Sequence, residues 1–219
     1  MVNSFSQHWM LLGTAQTSNK VWGIKNINFP CGYHLPNAAF ANGDQNLIID
    51  FDIENYWVLG GLALEIKKTG KNIEPENCSS FIKGYRPWIS IYKNQLIEEL
   101  EERKHTIMIW DKGVSIFYGL WRDNSHKIGE LININNFEKY KTFKCSLQID
   151  STEEIEGEAP EEYIHNSEKI VNFMSKFMTL SEKDIYVLGP IVAKKLSKPV
   201  STINLKVLNN DLNVEIINK

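Results

Sequence analysis

Apolar residues alternate with polar or small residues along much of the chain, and a period of two predicts β-strands. The longest such run covers residues 56–66. One predicted face carries Val58, Leu62, Leu64 and Ile66, and the opposite face carries Leu59, Gly61, Ala63 and Glu65. Because the first face is apolar enough to form a core, any function of this strand depends on the second face.

The same pattern predicts further strands along the chain, at residues 8–16, 47–53, 84–92, 130–134, 142–149, 184–189, 201–208 and 212–217. Pro87 lies within the predicted strand 84–92 and indicates that part of this strand is an edge strand or a bulge. Two apolar runs between 106 and 121 flank the turn signal Asp111-Lys112-Gly113 and predict a hairpin. Residues 17–46 lack a sustained period and predict a long ordered surface segment, and the acidic residues 153–162 predict an exposed loop or turn.

A helical period predicts three helices, over residues 75–83, 95–104 and 168–177. Asn166 or Ser167 is suited to cap the last of them. Strands outnumber helices, and no glycine-rich phosphate-binding motif occurs. The pattern therefore predicts a β-rich α+β protein with a single domain over 1–219, in which 1–55 form an N-terminal strand and a long cavity-lining loop and 56–219 form the core.

Composition narrows the class of protein further. The chain has 219 residues, of which 42% are hydrophobic, and a net charge of −3 with no basic stripe, so nucleic acid is excluded as a partner. Cys31, Cys78 and Cys145 are widely spaced and odd in number, which predicts buried free thiols in a reducing compartment. Neither a signal peptide nor a membrane-spanning run occurs, so a cytoplasmic protein without a membrane partner is expected.

Three stretches, in this order, resemble the fumarylacetoacetate hydrolase family. They are LALEIKKTGKNI at 62–73, FIKGYRPWIS at 81–90 and IVNFMSKFMTLSEKDIYVLG at 170–189. Two weaker matches are LLGTAQTSN at 11–19 and DNSHKIGE at 123–130. The resemblance implies a mixed, rolled β-sheet with flanking helices, a homodimer, and a carboxylate-bound Mg²⁺ or Mn²⁺ that acts on 2-oxo acids.

The positions that the resemblance assigns to the three metal-binding carboxylates hold Leu59, Gly61 and Ser90 in this chain. Its remaining catalytic positions hold Asn19, Leu120 and Pro190. Leucine and glycine offer no side-chain oxygen to a hard cation, and one serine hydroxyl cannot hold it alone. The sequence therefore predicts the fold of the family without its metal site and without a cofactor.

A relocated Mg²⁺ or Mn²⁺ site remains conceivable, built from Glu65 with Asp50 or Asp52. The alternative is that Glu65 ends its strand in solvent beside Lys67 and Lys68, with both aspartates on a solvated strand face.

Candidate acid and base residues are His34, His126, Glu65 and Asp123. His126 lies near Asp123 and Glu130 in a polar stretch, where an ordinary exposed histidine is the alternative. His34 follows Cys31 and Tyr33 in the long loop, where simple loop packing is the alternative.

The candidate substrate-binding residues are Arg86, Trp88, Ser90 and Tyr33. An arginine in a cavity wall suits a substrate carboxylate, although a surface arginine on an edge strand is the alternative. Trp88 belongs with the tryptophans that we expect mostly in the core.

Two classes of function remain open. The first is a metal-independent enzyme that isomerises, cyclises, dehydrates or cleaves an oxo-acid or polyketide-like small molecule. The second is a non-catalytic binding or partner subunit. They differ in whether the presumed cavity is open or is filled by Trp57, Leu59 and Trp88. A conventional metal hydrolase or hydratase is the third possibility.

Overall fold

The computed structural model describes residues 7–12, 31–49, 56–93, 95–106, 108–133, 142–151 and 153–218. Within these ranges the strands are β1 (His8–Leu12), β2 (Cys31–Leu35), β3 (Leu47–Ile49), β4 (Tyr56–Ile66), β5 (Ile82–Lys93), β6 (His126–Ile128), β7 (Ile132–Asn133), β8 (Thr142–Ile149), β9 (Glu153–Pro160), β10 (Ile185–Lys195), β11 (Thr202–Val207) and β12 (Asn210–Asn218). The helices are α1 (Gln95–Glu102), α2 (Ile109–Leu120) and α3 (Glu161–Phe177), with 3₁₀ helices at Asn37–Ala39 and Pro75–Phe81. None of these helices is long and apolar enough to cross a membrane.

The strands form two mixed sheets. In the first sheet the order is β2-β1-β10-β4-β5-β6, and β7 also pairs with β5. In the second sheet the order is β3-β12-β11-β8-β9. The β1–β10 and β3–β12 pairs are parallel and the other pairs are antiparallel. This strand-rich α+β architecture confirms the predicted fold class.

Strand β4 separates two buried clusters, as its alternation predicts. Val58, Leu62, Leu64 and Ile66 belong to the larger cluster between the sheets. A Cβ atom at Gly60 would lie 2.6 Å from Leu205 Cδ1, so the second sheet packs closely on this face. The opposite face contributes to a second cluster, here called the inner cluster, which consists of Met10, Leu35, Ala39, Phe40, Leu59, Ala63, Trp88, Tyr92, Ile116, Leu120, Ile185 and Val187.

The predicted hairpin at 106–121 is wrong, because most of this segment forms helix α2. The Asp111 carboxylate accepts a hydrogen bond from the Met108 N–H at 2.8 Å, which stabilises the start of the helix. Ile116 and Leu120, four residues apart, are buried in the inner cluster. Tertiary burial at helical spacing therefore overrides the strand propensity of the aromatic and β-branched residues.

The acidic segment 153–162 is also not the predicted loop. It forms β9 and the start of α3, which therefore begins at Glu161 and not near residue 168. Glu154, Glu156 and Glu158 are exposed, while Ala159 is buried. The glutamates alternate onto the solvent side of a strand that pairs with β8, so their charges need no desolvation.

Four smaller differences concern loops, a short helix and a strand interior. Residues 31–35, within the predicted surface segment, form strand β2, and residues 75–81 form a 3₁₀ helix. The strand predicted at 130–134 is replaced by the short strands β6 and β7, although residue 134 lies outside the described ranges. Pro87 lies in the interior strand β5 and not at a sheet edge. On one side it pairs with Leu62 of β4. On the other side it lies between the residues of β5 that pair with β6 and those that pair with β7, and its carbonyl accepts a hydrogen bond from the Gly129 N–H at 2.8 Å.

Two of the three cysteines are buried free thiols, as predicted. Cys78 and Cys145 have no exposed surface. Burial raises the pKa of the Cys145 thiol to about 12. The side chain of Cys31 lies outside the described part of the chain.

Candidate functional site: a filled cavity

A single row of residues crosses three strands at the predicted metal position. Leu59 on β4 pairs with Ser90 on β5, and Ser90 pairs with His126 on β6. Partners at matching register in antiparallel strands project to the same face of a sheet. All three residues have 0% exposed surface, so the row lies within the inner cluster and away from solvent.

Trp88 lies in the neighbouring row of residues, on the same face of the sheet as Leu59, Ser90 and His126. It pairs with Gly61, which is the second predicted ligand position, and its side chain is fully buried. Trp57 is half-buried and packs against the same cluster. Leu59 and Trp88 are therefore packed side chains at positions where the sequence predicted a cavity.

The residues at these positions do not fit a divalent metal ion. Such an ion needs several oxygen ligands, and Leu59, Gly61 and Ser90 supply one hydroxyl. Within the described ranges, no group of three or more His, Cys, Asp or Glu side chains is arranged to hold a metal. Asp50 and Asp52, proposed for a relocated site, lie outside those ranges.

His126 is a core residue, so the alternative of an ordinary exposed histidine is wrong. Its Nδ1 accepts a hydrogen bond from Trp88 Nε1 at 3.2 Å, and its Nε2 therefore carries the proton and lies 2.9 Å from the Leu120 carbonyl oxygen. Burial lowers its pKa to about 4. Asp123 and Glu130 are exposed and do not join it.

Four aromatic rings stack in series, and one of them is the His126 ring of this row. His8 stacks on Phe40 at 3.9 Å between centroids, Phe40 stacks on His126 at 5.0 Å, and His126 stacks on Trp88 at 6.0 Å. His8 Nδ1 lies 3.0 Å from Asn37 Oδ1, and burial lowers the His8 pKa to about 4. Sequence reasoning overlooked His8 and Phe40, although the position of His8 in an apolar strand indicated burial.

Glu65 forms a buried ion-pair cluster with two cations. Its carboxylate accepts from Lys83 Nζ at 2.7 Å and from Arg86 Nε, and Arg86 Nη1 donates to the Gly129 carbonyl oxygen at 2.9 Å. Glu65 is 1% exposed and Arg86 is 8% exposed. The alternatives of a solvent-exposed Glu65 and a surface Arg86 are therefore wrong, and the two charges are directed toward each other.

The Ser90 hydroxyl is buried and has no hydrogen-bond partner among the described residues. A buried unsatisfied hydroxyl costs stability, so we expect Ser90→Ala to raise the free energy of unfolding by about 1 kcal/mol. Ser175 is a matched control, because its equally buried hydroxyl accepts from Ile73 N–H and donates to the Asn172 carbonyl, each at 2.9 Å. Ser175→Ala should lower stability in the same urea titration. A loss with Ser90→Ala would contradict the assignment of an unpaired hydroxyl.

The remaining candidates lie near the surface. His34 is exposed, with its ring edge-on to Trp9 at 5.4 Å, and its carbonyl accepts from Trp121 Nε1 at 2.8 Å. Tyr33 is half-buried and packs against the inner cluster. Asp123 is exposed. The structure thus brings Trp88, Ser90 and His126 together, but places His34 and Asp123 elsewhere.

The two mixed sheets define the fold of fumarylacetoacetate hydrolase family proteins. The chain resembles a fumarylpyruvate hydrolase from Pseudomonas aeruginosa solved with Mn²⁺ and pyruvate, with a TM-score of 0.73, 17% identity and coverage of 98% of this chain and 91% of that one. It also resembles a protein from Yersinia pestis assigned to the family, with a TM-score of 0.75, 17% identity and coverage of 98% and 95%.

A third similar structure is a 5-carboxymethyl-2-hydroxymuconate delta-isomerase from Mycobacterium smegmatis, with a TM-score of 0.72, 14% identity and coverage of 100% and 82%. No protein-family model and no curated protein sequence matches the chain. These similarities confirm the fold that the resemblance implied.

Proposed function

We propose that this chain uses the fumarylacetoacetate hydrolase fold as a non-catalytic binding or partner subunit. The observation that carries the proposal is the buried row of Leu59, Ser90 and His126 at the predicted metal position. A catalytic cavity needs open volume with convergent polar groups. Here the same space holds the packed, buried side chains of Leu59, Ser90 and His126, with Trp88 in the next row.

Two polar side chains near the row support the same proposal, because both are buried and already hydrogen-bonded. Both ring nitrogens of His126 have hydrogen-bond partners, and burial lowers its pKa to about 4, which disfavours proton uptake near neutral pH. The Glu65 carboxylate accepts from two cations. A general base must lie within reach of substrate, and both groups are buried among packed side chains.

Metal binding is the most direct test. We expect no rise in melting temperature when Mn²⁺ or Mg²⁺ is added to chelator-treated protein, and no stoichiometric metal by elemental analysis. A ligand that binds only the folded state at a hundredfold excess over its dissociation constant would stabilise by about 2.7 kcal/mol, which such a measurement resolves easily. A clear shift with bound metal would contradict the proposal and direct mutagenesis to Asp50, Asp52 and Glu65.

The second candidate is a metal-independent enzyme that isomerises, cyclises, dehydrates or cleaves an oxo-acid or polyketide-like molecule. Tyr33 favours it, because it packs against the inner cluster and a phenol can transfer a proton. His34, the next residue on β2, is exposed, and its imidazole can also transfer a proton. The fumarylpyruvate hydrolase and the isomerase of similar fold act on small molecules of this kind, as their names state.

A turnover assay with acylpyruvates as substrates and a chelator present distinguishes the two candidate functions. Under the second candidate, turnover should occur and His34→Ala should abolish it, whereas His105→Ala, at another exposed histidine, should not. Absence of turnover would favour the non-catalytic proposal.

A further inference from the structure

A groove on the solvent-facing side of the second sheet is lined by polar side chains. Its volume is about 450 Å³, within the range of roughly 300–1,000 Å³ that is typical of small-molecule sites. Strands β8, β11 and β12 carry most of its lining. The polar residues that line it, here called the second-sheet groove, are Gln148, Ser151, Thr202, Asn204, Asn213 and Glu215. Ile203 and Val214 alternate with these residues and are buried in the larger cluster, so the groove lies on the opposite face of the sheet.

Three side-chain amides form one row across the floor of the second-sheet groove. Asn204 of β11 pairs at register with Gln148 of β8 on one side and with Asn213 of β12 on the other. Residues paired in this way project to the same face of a sheet. The Asn204 Nδ2 donates a hydrogen bond to Asn213 Oδ1, which leaves the Asn204 oxygen and the Asn213 nitrogen outside this bond. A side-chain amide both donates and accepts hydrogen bonds, so the row suits ligand hydroxyl groups, which also do both.

The neighbouring row of the groove is held in place by backbone and side-chain contacts. Thr202 of β11 pairs with Glu215 of β12. The Asp150 carboxylate accepts hydrogen bonds from the backbone N–H groups of Ser201 and Thr202 at 2.7 and 2.9 Å. These bonds tie the turn that carries Ser151 to the start of β11. A site built on strands and fixed turns loses less conformational freedom when a ligand binds.

The chemistry of the lining selects among classes of ligand. Among the described residues that line the groove, Glu215 alone is charged, so the groove repels an anion such as a phosphate. None of these lining residues is aromatic, so a flat aromatic ligand has no ring on which to stack. A peptide cannot add here as a further strand, because β8 and β11 are already paired on both sides. A ligand with several hydroxyl groups and no charge satisfies all three conditions.

We propose that the second-sheet groove binds an uncharged carbohydrate. The amides of Gln148, Asn204 and Asn213 exchange hydrogen bonds with the ligand hydroxyl groups, and the Glu215 carboxylate accepts from further hydroxyl groups. The groove belongs to the second sheet, whereas the row at the predicted metal position belongs to the first. The inference therefore does not depend on the proposed function.

Saturation-transfer NMR titrations with the full chain test the proposal. The probes are glucose, galactose, mannose, maltose, cellobiose and lactose at millimolar concentrations, with spermidine as a cationic comparison and the phosphate ester of any sugar that binds as an anionic one. We expect at least one neutral probe to bind, and its phosphate ester to bind at least tenfold more weakly. Absence of binding by every neutral probe would overturn the proposal, and so would tighter binding of the phosphate ester or of spermidine.

Substitutions in the groove locate the bound probe. Asn204→Ala and Gln148→Ala should each raise its dissociation constant at least tenfold, which corresponds to about 1.4 kcal/mol. Thr202→Trp should weaken binding similarly, because it fills the groove and leaves the row of amides intact. Asn77→Ala is the matched control, since Asn77 is exposed on the 3₁₀ helix and lies outside the groove. Circular dichroism melts identify any variant that fails to fold, and folded groove variants that bind like the wild type would overturn the proposal.

Glu215→Gln separates the charge of the groove from its shape. The variant should retain the neutral probe, because the glutamine amide still offers an acceptor, and it should bind the phosphate ester more tightly than the wild type does. Unchanged discrimination between the sugar and its phosphate ester would overturn the proposed exclusion of anions by this carboxylate.

Discussion

Replacing Glu65 with alanine should lower the free energy of unfolding by about 3–5 kcal/mol, the range found when one partner of a buried ion pair is removed. The Glu65 and Arg86 side chains are 1% and 9% exposed. Without the carboxylate, the Arg86 guanidinium keeps its hydrogen bond to Gly129 but loses its counter-charge in the interior. Loss of the carboxylate affects the Lys83 ammonium group less, because its side chain is 37% exposed and can turn toward water.

Urea unfolding followed by circular dichroism measures this loss, and the pair of Lys144 and Glu156 provides the control. Their side chains are 74% and 60% exposed and lie 3.1 Å apart. Glu156→Ala should change stability by less than about 1 kcal/mol, since exposed ion pairs contribute little. Replacing Glu65 and Arg86 together with leucine and methionine should recover much of the loss, because the remaining Lys83 charge can turn toward water and no unpaired charge stays in the interior. A Glu65→Ala variant as stable as Glu156→Ala would show that the buried pair is not formed in solution.

Acidification should destabilise the protein well above the pH at which most carboxylates titrate. His8 and His126 have pKa values lowered to about 4, chiefly by burial, from an ordinary value of 6.5. Between pH 6.5 and 4 the unfolded chain therefore binds protons that the folded chain does not. The free energy of unfolding should fall by about 2 kcal/mol for each histidine at pH 5 and by about 3 kcal/mol at pH 4.

Burial lowers the pKa values of both rings by more than their hydrogen bonds, with Leu120 at His126 and with Asn37 at His8, raise them. His126 meets the Leu120 carbonyl and Trp88, while His8 meets Asn37, and the charges that act on the two rings come from other histidines and lower their pKa values further. We expect His126→Asn to reduce the loss of stability between pH 7 and pH 5 by about half in urea titrations. His105→Asn, at an exposed histidine, should leave it unchanged. An equal loss in the wild type and in His126→Asn would contradict the assignment.

The row of Leu59, Ser90 and His126 is buried, and Glu65 and Arg86 pair with each other, so this protein packs the region that the resemblance assigns to a metal site. Leu59 and Trp88 fill space, and burying a large side chain contributes roughly 1.5–3 kcal/mol. Open metal ligands would instead hold like charges together in the interior. A chain that packs this region gains stability where a metal-dependent enzyme keeps a strained, hydrated site.

Local patterns in the sequence determined much of the fold. The alternation along 56–66 assigned both faces of β4 correctly, because the side chains of a strand point to opposite sides whatever its neighbours are. Strands β8, β11 and β12 and helix α1 follow from the same kind of local period. Residue identity alone also shows that positions 59, 61 and 90, which the resemblance assigns to metal ligands, hold no carboxylate.

Contacts between distant segments decided the rest. Helix α2 replaced a predicted hairpin because Ile116 and Leu120 are buried against strands elsewhere in the chain. Glu65 is paired because β5 places Arg86 and Lys83 beside it, and His126 is neutral because β5, β6 and Phe40 enclose its ring. Burial and charge state depend on which strands become neighbours. The sequence by itself determined the periods and the missing ligands, and only the tertiary structure decided that the space they left is packed.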